Sequence, residues 1–191
     1  LVLACGALGR EIQALKKLNG WKSLEVRTLP AHWHNTPERI PEGIRELLEW
    51  AKSRYGKIYT AYAACGTGGK LDGLLREFGV ERLPGAHCYE FYSGAAEFSE
   101  MAEEEPGTFY LTDFLVKNFN RLVIHELGLD RHPELREEYF RNYRRLVYLS
   151  QTENRDLQEL ASKAAQRLGL EYHYRFTGYG ELESSLKKWM N

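Results

Sequence analysis

The sequence predicts an α/β protein: a mainly parallel sheet flanked by helices on both faces, Rossmann-like, with its ligand site at the carboxyl ends of the strands. Two observations carry this. Short apolar runs alternate with helical patterns along the whole chain, the order that βαβ units produce. Most of these runs stop at glycine or at a polar turn that opens the next helical pattern. At 191 residues the chain is read as a single α/β domain over 1–191; the alternative is two pseudo-equivalent lobes, about 1–95 and 96–191.

Each element follows from a local pattern. Leu1–Cys5 is a buried strand ending at Gly6, and residues 8–19 carry Leu8, Ile12, Leu15 and Leu18 at helical spacing before Gly20. Leu24–Leu29 is the second strand. Thr36-Pro37-Glu38 opens a helix running to about Tyr55, with Pro37 at its first position and Asn35 as a candidate cap. Ile58–Ala63 is the third strand, stopped by a glycine-rich loop, with a short helix at Leu71–Phe78. Arg82–Pro84 is a weak fourth strand. A helical stretch at Phe91–Glu104 is broken by Pro106-Gly107, and Thr108–Leu111 is a strand whose following helix starts at Thr112-Asp113. Pro133–Tyr143 is helical, Leu146–Leu149 a strand, Asn154–Leu168 an amphipathic helix closed by Gly169, and Tyr172–Phe176 the last strand before a final helix.

Composition narrows the function classes. Twenty-six Lys and Arg against 27 Asp and Glu leave a net charge of −1, which argues against a general nucleic-acid binder. No apolar run approaches the roughly 18 residues that span a bilayer. Three cysteines, an odd number, cannot close a disulfide set, so a cytoplasmic setting is expected. The first residue is Leu1, inside an apolar run, so the start is expected to be trimmed.

The chemistry-bearing residues gather after the strands. Cys5 ends the first, Cys65 follows the third and Cys88 the fourth, so all three can meet at one sheet edge. Thiolates are soft ligands, and this set suits zinc or an iron–sulfur cluster, with one iron left open. No Cys-x-x-Cys pair supports the reading, and Cys5 is the one that packing alone would explain. Cys65-Gly66-Thr67-Gly68-Gly69-Lys70-Leu71-Asp72 is neither a P-loop nor a dinucleotide fingerprint. Its backbone N–H groups, with Gly66, Thr67, Gly68, Gly69 and Asp72 as candidate contacts, would cradle a small anion or a thiolate cluster. In His87-Cys88-Tyr89-Glu90, His87 could ligate or act as base to a nucleophilic Cys88, and Glu90 could be a further ligand. His34 and Asn35 face the same edge after the second strand. Asp113 either caps its helix or presents a carboxylate, and Arg131 and His132 are candidate anion contacts.

Taken together, LACG (3–6), HNTPERI (34–40), CGTGGKLD (65–72), GAHCYEF (85–91), EPGTFYLTDFL (105–115), LGLDRHPEL (127–135), YFRNY (139–143) and TGYGELE (177–183) resemble the domain of unknown function family 1638, in order over almost the whole chain. The resemblance implies a setting beside corrinoid-dependent methyltransferases, corrinoid carriers and corrinoid-activating proteins of one-carbon metabolism. A carrier's Asp-x-His-x-x-Gly is not met, because Leu135 stands where the glycine after Asp130-Arg131-His132 would be. The chain is also too short for a methyltransferase barrel. The expected function is therefore a metal- or cluster-binding accessory protein on Cys5, Cys65 and Cys88, partnered by a corrinoid protein or methyltransferase. The alternatives are a metal-free thiol enzyme using Cys88 or Cys65 with the Gly66–Gly69 loop as anion hole, and a non-catalytic module docking a corrinoid protein or small ligand.

Overall fold

The computed structural model describes residues 1–190, and the chain gathers into two compact units: Leu1–Phe91 together with the segment from Glu181 onward, and Tyr92–Gly180. Both are parallel sheets with helices packed on them, so the α/β class stands. The first unit ends four residues before the lobe boundary near 95, and the last helix returns to it.

The first unit begins β1 (Val2–Cys5), α1 (Gly9–Leu18), β2 (Val26–Leu29). Two 3-10 turns, Ala31–Asn35 and Pro37–Arg39, lead into α2 (Ile40–Ala51), followed by β3 (Tyr59–Ala61), α3 (Lys70–Phe78) and β4 (Glu81–Arg82). The strands lie in the order β2-β1-β3-β4, all parallel. β1 sits inside the sheet, which is why its residues read as an unbroken apolar run: Val2, Leu3 and Ala4 are all buried. Connections leave β1 toward β2 on one side and return to β3 on the other. The crevice between the carboxyl ends of β1 and β3 is therefore the topological switch point, where open α/β sheets take their ligands.

Local departures from the sequence reading have identifiable causes. The helix expected from Thr36 starts as α-helix only at Ile40, with Pro41 in its first turn, and ends at Ala51. Asn35 is therefore not its cap; it ends the first 3-10 turn. Leu18, placed on the apolar stripe of α1, is 72% exposed because the stripe runs out one turn earlier, at Leu15. The stretch expected as one helix from Phe91 is two, α4 (Glu90–Ser93) and α5 (Ala95–Glu104), parted at Gly94, whose φ of 83° breaks the helical path.

The second unit continues with β5 (Thr108–Thr112), α6 (Asp113–Lys117), a π-helical turn (Asn120–His125), α7 (Leu135–Phe140), β6 (Arg145–Ser150), α8 (Arg155–Leu168) and β7 (Glu171–Phe176), with strand order β5-β6-β7. Its core packs Leu111, Leu146 and Tyr148 against Leu157, Ala161 and Leu168 of α8. Asn154 caps α8 by accepting from the Leu157 N–H at 3.1 Å. The last helix, α9 (Gly180–Met190), buries Leu182, Leu186 and Trp189; Trp189 stacks on Tyr59 of the first unit at 4.7 Å. Among the described residues no helix is long and apolar enough to cross a membrane.

Candidate functional site

In the first unit, four loops meet at the carboxyl end of the sheet, and backbone contacts tie them together. The Gly6 N–H donates to the Leu29 carbonyl at 2.9 Å, joining the loop after β1 to the one after β2. A side chain at Gly6 would press that oxygen and the Ala31 nitrogen at about 3 Å, so this approach needs glycine. Gly66 lies against the Pro37 ring, joining the loop after β3 to the same neighbour. Ala64 N–H and Cys65 N–H donate to the carbonyls of Gly85 and Ala86, both at 3.0 Å, extending the β3–β4 pairing into the loop that bears Cys88. Glu90 fixes that last loop, its Oε1 accepting from the N–H groups of Ala86 (2.8 Å) and His87 (3.0 Å).

These ties bring Cys5, Cys65 and Cys88 into one electrostatic neighbourhood. All three are free thiols; Cys65 is buried, while Cys5 and Cys88 are half-buried. Burial is the first cause of a raised pKa at each, and at Cys65 and Cys88 a neighbouring thiol is the second. Cys65 is pushed up to about 11, by burial and then by Cys5. Cys88 is pushed well up by burial, then by Cys5 and Cys65, with Glu11 further contributing. Cys5 is raised by burial, against which the Ala7 backbone and the Tyr62 hydroxyl favour its thiolate. Among the described residues no group of three or more His, Cys, Asp or Glu side chains is drawn together as donors to a single metal ion.

Cys65 also carries backbone strain. With φ of 46° it is the one non-glycine residue at positive φ among the described residues. Gly66, Gly68 and Gly69 follow it at positive φ, turning the chain into α3. The Thr67 hydroxyl is used inside this loop, donating to the Ala64 carbonyl at 2.8 Å. Asp72, in the first turn of α3, is gripped by the Arg82 guanidinium at 2.6 and 3.3 Å, and that bond holds its carboxyl below the usual range. His34, exposed on the 3-10 turn after β2, lies near His87; the protein around its ring, and then His87, hold its pKa below the ordinary value. Asn35 is exposed beside it.

The remaining candidates belong to the second unit. Asp113 does not cap α6. Thr112 does, accepting from the Leu115 N–H at 3.4 Å. The Asp113 carboxylate is buried and accepts from the Tyr148 hydroxyl (2.7 Å), the Gln151 N–H (2.9 Å) and the Thr152 hydroxyl (2.5 Å), binding the ends of β5 and β6 together. Arg131 and His132 are exposed, beside Asp130 and Glu134 respectively.

A family model described as "Protein of unknown function (DUF1638)" matches residues 28–186. The chain belongs to this family. No curated protein and no solved structure matches it. The DUF1638 span takes in Cys65, Cys88 and the loops that carry them, while β1 with Cys5 precedes it.

Sequence reasoning missed two side chains here. Glu11 is a buried carboxylate on α1 near Cys88, hidden in a pattern that reads as a helix's polar positions. Tyr62 is 1% exposed, and its hydroxyl has no hydrogen-bond partner among the described residues although it lies beside the Cys5 sulfur. A buried hydroxyl without a partner costs about 1–3 kcal/mol. Within an apolar strand run, Tyr62 reads as one more core aromatic.

Proposed function

We propose that the protein binds an iron–sulfur cluster through Cys5, Cys65 and Cys88. The supporting observation is that three thiols from three separate strand ends lie close enough at the carboxyl edge of the sheet for Cys5 to raise the pKa of Cys65, and for Cys5 and Cys65 to raise that of Cys88. Thiols that repel as thiolates are relieved by a cation, which deprotonates its sulfur ligands outright. A lone zinc, with Zn–S bonds of about 2.3 Å, needs its sulfurs about 3.8 Å apart. Among the described residues the three thiols are not drawn together as donors to one ion, so the cluster reading rests on their shared sheet edge and on the charge of Cys5 and Cys65 felt at Cys88. With three cysteines, one iron would stay open to a small ligand. The N–H groups of the Gly66–Gly69 loop and the His34–His87 pair would border an anionic one.

Thiol catalysis is less well supported. An activated cysteine needs a lowered pKa, and all three are raised. The resemblance to the family supports a place beside corrinoid-dependent methyl transfer, with a corrinoid protein or methyltransferase as partner, and three unpaired cysteines favour a reducing compartment.

Anaerobic reconstitution of the metal-free chain with ferrous iron and sulfide tests the reading. It should give a brown protein with a broad band near about 400 nm. Each Cys→Ser change should abolish or sharply weaken the band, while Arg131→Ala should leave it intact. Equal loading of all four variants would overturn the three-cysteine site.

A further inference from the structure

We infer that β7 is a docking edge for a second copy of this chain: two β7 strands pair antiparallel about a two-fold axis at His173, joining the three-stranded sheets of the two copies into one. The inference goes beyond the cluster reading and does not depend on it.

The strand carries a row of backbone groups that its own sheet does not use. β7 is an outer strand, and its register with β6 runs unbroken from Glu171 to Phe176. The N–H groups of Glu171 and Thr177 donate to the carbonyls of Arg144 and Ser150, so odd-numbered residues turn their N–H and C=O groups toward β6. Those of Tyr172, Tyr174 and Phe176 point to the open side. A long exposed edge is a template for another strand, and β7 has no proline, lysine or bulge to blunt it. The other edges differ: β2 has four residues, β4 has two, and β5 is mostly buried. Tyr174 and Phe176 leave large apolar side chains on the β7 rim, 40% and 53% exposed.

Charge selects both the partner and the register. The outward groups belong to even-numbered residues, so an antiparallel self-pair must set even residues opposite even ones. Two such registers overlap most of β7. The one centred on Tyr174 sets His173 opposite Arg175 of the partner subunit, where the guanidinium meets no anion. The one centred on His173 sets Glu171 opposite Arg175 of the partner subunit, and by symmetry the same ion pair forms again. Tyr172 then exchanges both backbone bonds with Tyr174 of the partner subunit. Within one chain Arg175 holds Glu97 at 2.9 Å and Glu171 holds His173 at 3.0 Å, both in exposed pairs that re-pair at little cost. The two-fold consumes both open edges, so assembly closes at two copies.

Sedimentation velocity of the full chain, from micromolar to submillimolar concentration, is the test. Wild type should reach twice the chain mass of 22.2 kDa. Glu171→Arg and Arg175→Glu should each stay monomeric, because like charges then stand opposite one another, and the chain carrying both changes should dimerise again. His173→Cys should give a disulfide-linked dimer with diamide, beyond any formed by wild type. Opposed residues of a non-hydrogen-bonded antiparallel pair have Cα atoms about 4.5 Å apart, within disulfide reach. Arg175→Cys, opposite Glu171 rather than itself, should not link. Wild type that is monomeric throughout would overturn the inference. So would a dimer that both single reversals leave intact, which would put the interface elsewhere. A double reversal that melts as wild type yet stays monomeric would overturn the register. If a reversal unfolds the chain, the His173→Cys link decides: a linked dimer supports the pairing, and its absence overturns it.

Discussion

Cys65 combines backbone strain with a buried thiol of raised pKa. A residue with a side chain at φ of 46° costs about 1 kcal/mol or more over glycine. Cys65→Gly relieves that strain while losing a buried sulfur and adding backbone freedom. Urea unfolding of the metal-free variant should therefore fall within about 1 kcal/mol of wild type, while the proposed site predicts that it no longer takes up iron and sulfide. Its raised pKa has kinetic and thermodynamic consequences. With a thiol shifted from 9.0 to about 11, alkylation of Cys65 by iodoacetamide at pH 8 should run about a hundredfold slower than for an ordinary cysteine. The folded chain holds this proton more tightly than the unfolded one. The stabilisation is thus complete below pH 9 and lost as pH rises toward 11, and melting temperatures of metal-free protein across that range should fall. Fast labelling of Cys65 at pH 8 would contradict the buried thiol. The cysteines were legible as a set because each follows a strand. Tyr62 was not, since what makes it unusual is the absence of a partner, which no pattern of residue types reveals.

At the scale of elements, two joints hold the loops in place. Asp113 fastens the ends of β5 and β6 through three donors, so Asp113→Ala leaves a hydroxyl pair and a backbone N–H without their acceptor. Unfolding stability should drop by roughly 3 kcal/mol. Its burial was hidden in the sequence, where an aspartate at a strand-to-helix junction reads as a cap; Thr112, one residue earlier, takes that role. The second joint is Gly43, where α2 crosses the turn that carries His34. A methyl group there would meet the Trp33 ring at 2.4 Å and Leu29 at 3.0 Å. Gly43→Ala should therefore cost about 1–3 kcal/mol by overpacking and shift Trp33 fluorescence. A silent Gly43→Ala would mean that the turn after β2 can move freely over α2. Gly43 reads in sequence only as a weak spot in a helix; its contact with Trp33 lies ten residues back and depends on how the 3-10 turns fold over.

At the scale of the molecule, the strand order decides what the cysteines can do. The alternation of strands and helices announces a parallel sheet. It cannot announce that β1 lies between β2 and β3, because that order is set by which helix covers which face. Only with the order in hand do Cys5 and Cys65 flank the switch point. The return of α9 to the first unit was equally illegible, since its partner Tyr59 is distant in sequence. Trp189→Ala should cost about 3 kcal/mol, read by denaturant unfolding of the full chain. The central claim is tested most directly by iron and acid-labile sulfide content of protein purified without oxygen, beside Cys65→Ser purified in the same way. A cubane on three cysteines predicts about four irons and about four sulfides per chain, lost in the variant. Intact, fully reduced protein that holds neither, or the same content in Cys65→Ser, would contradict it.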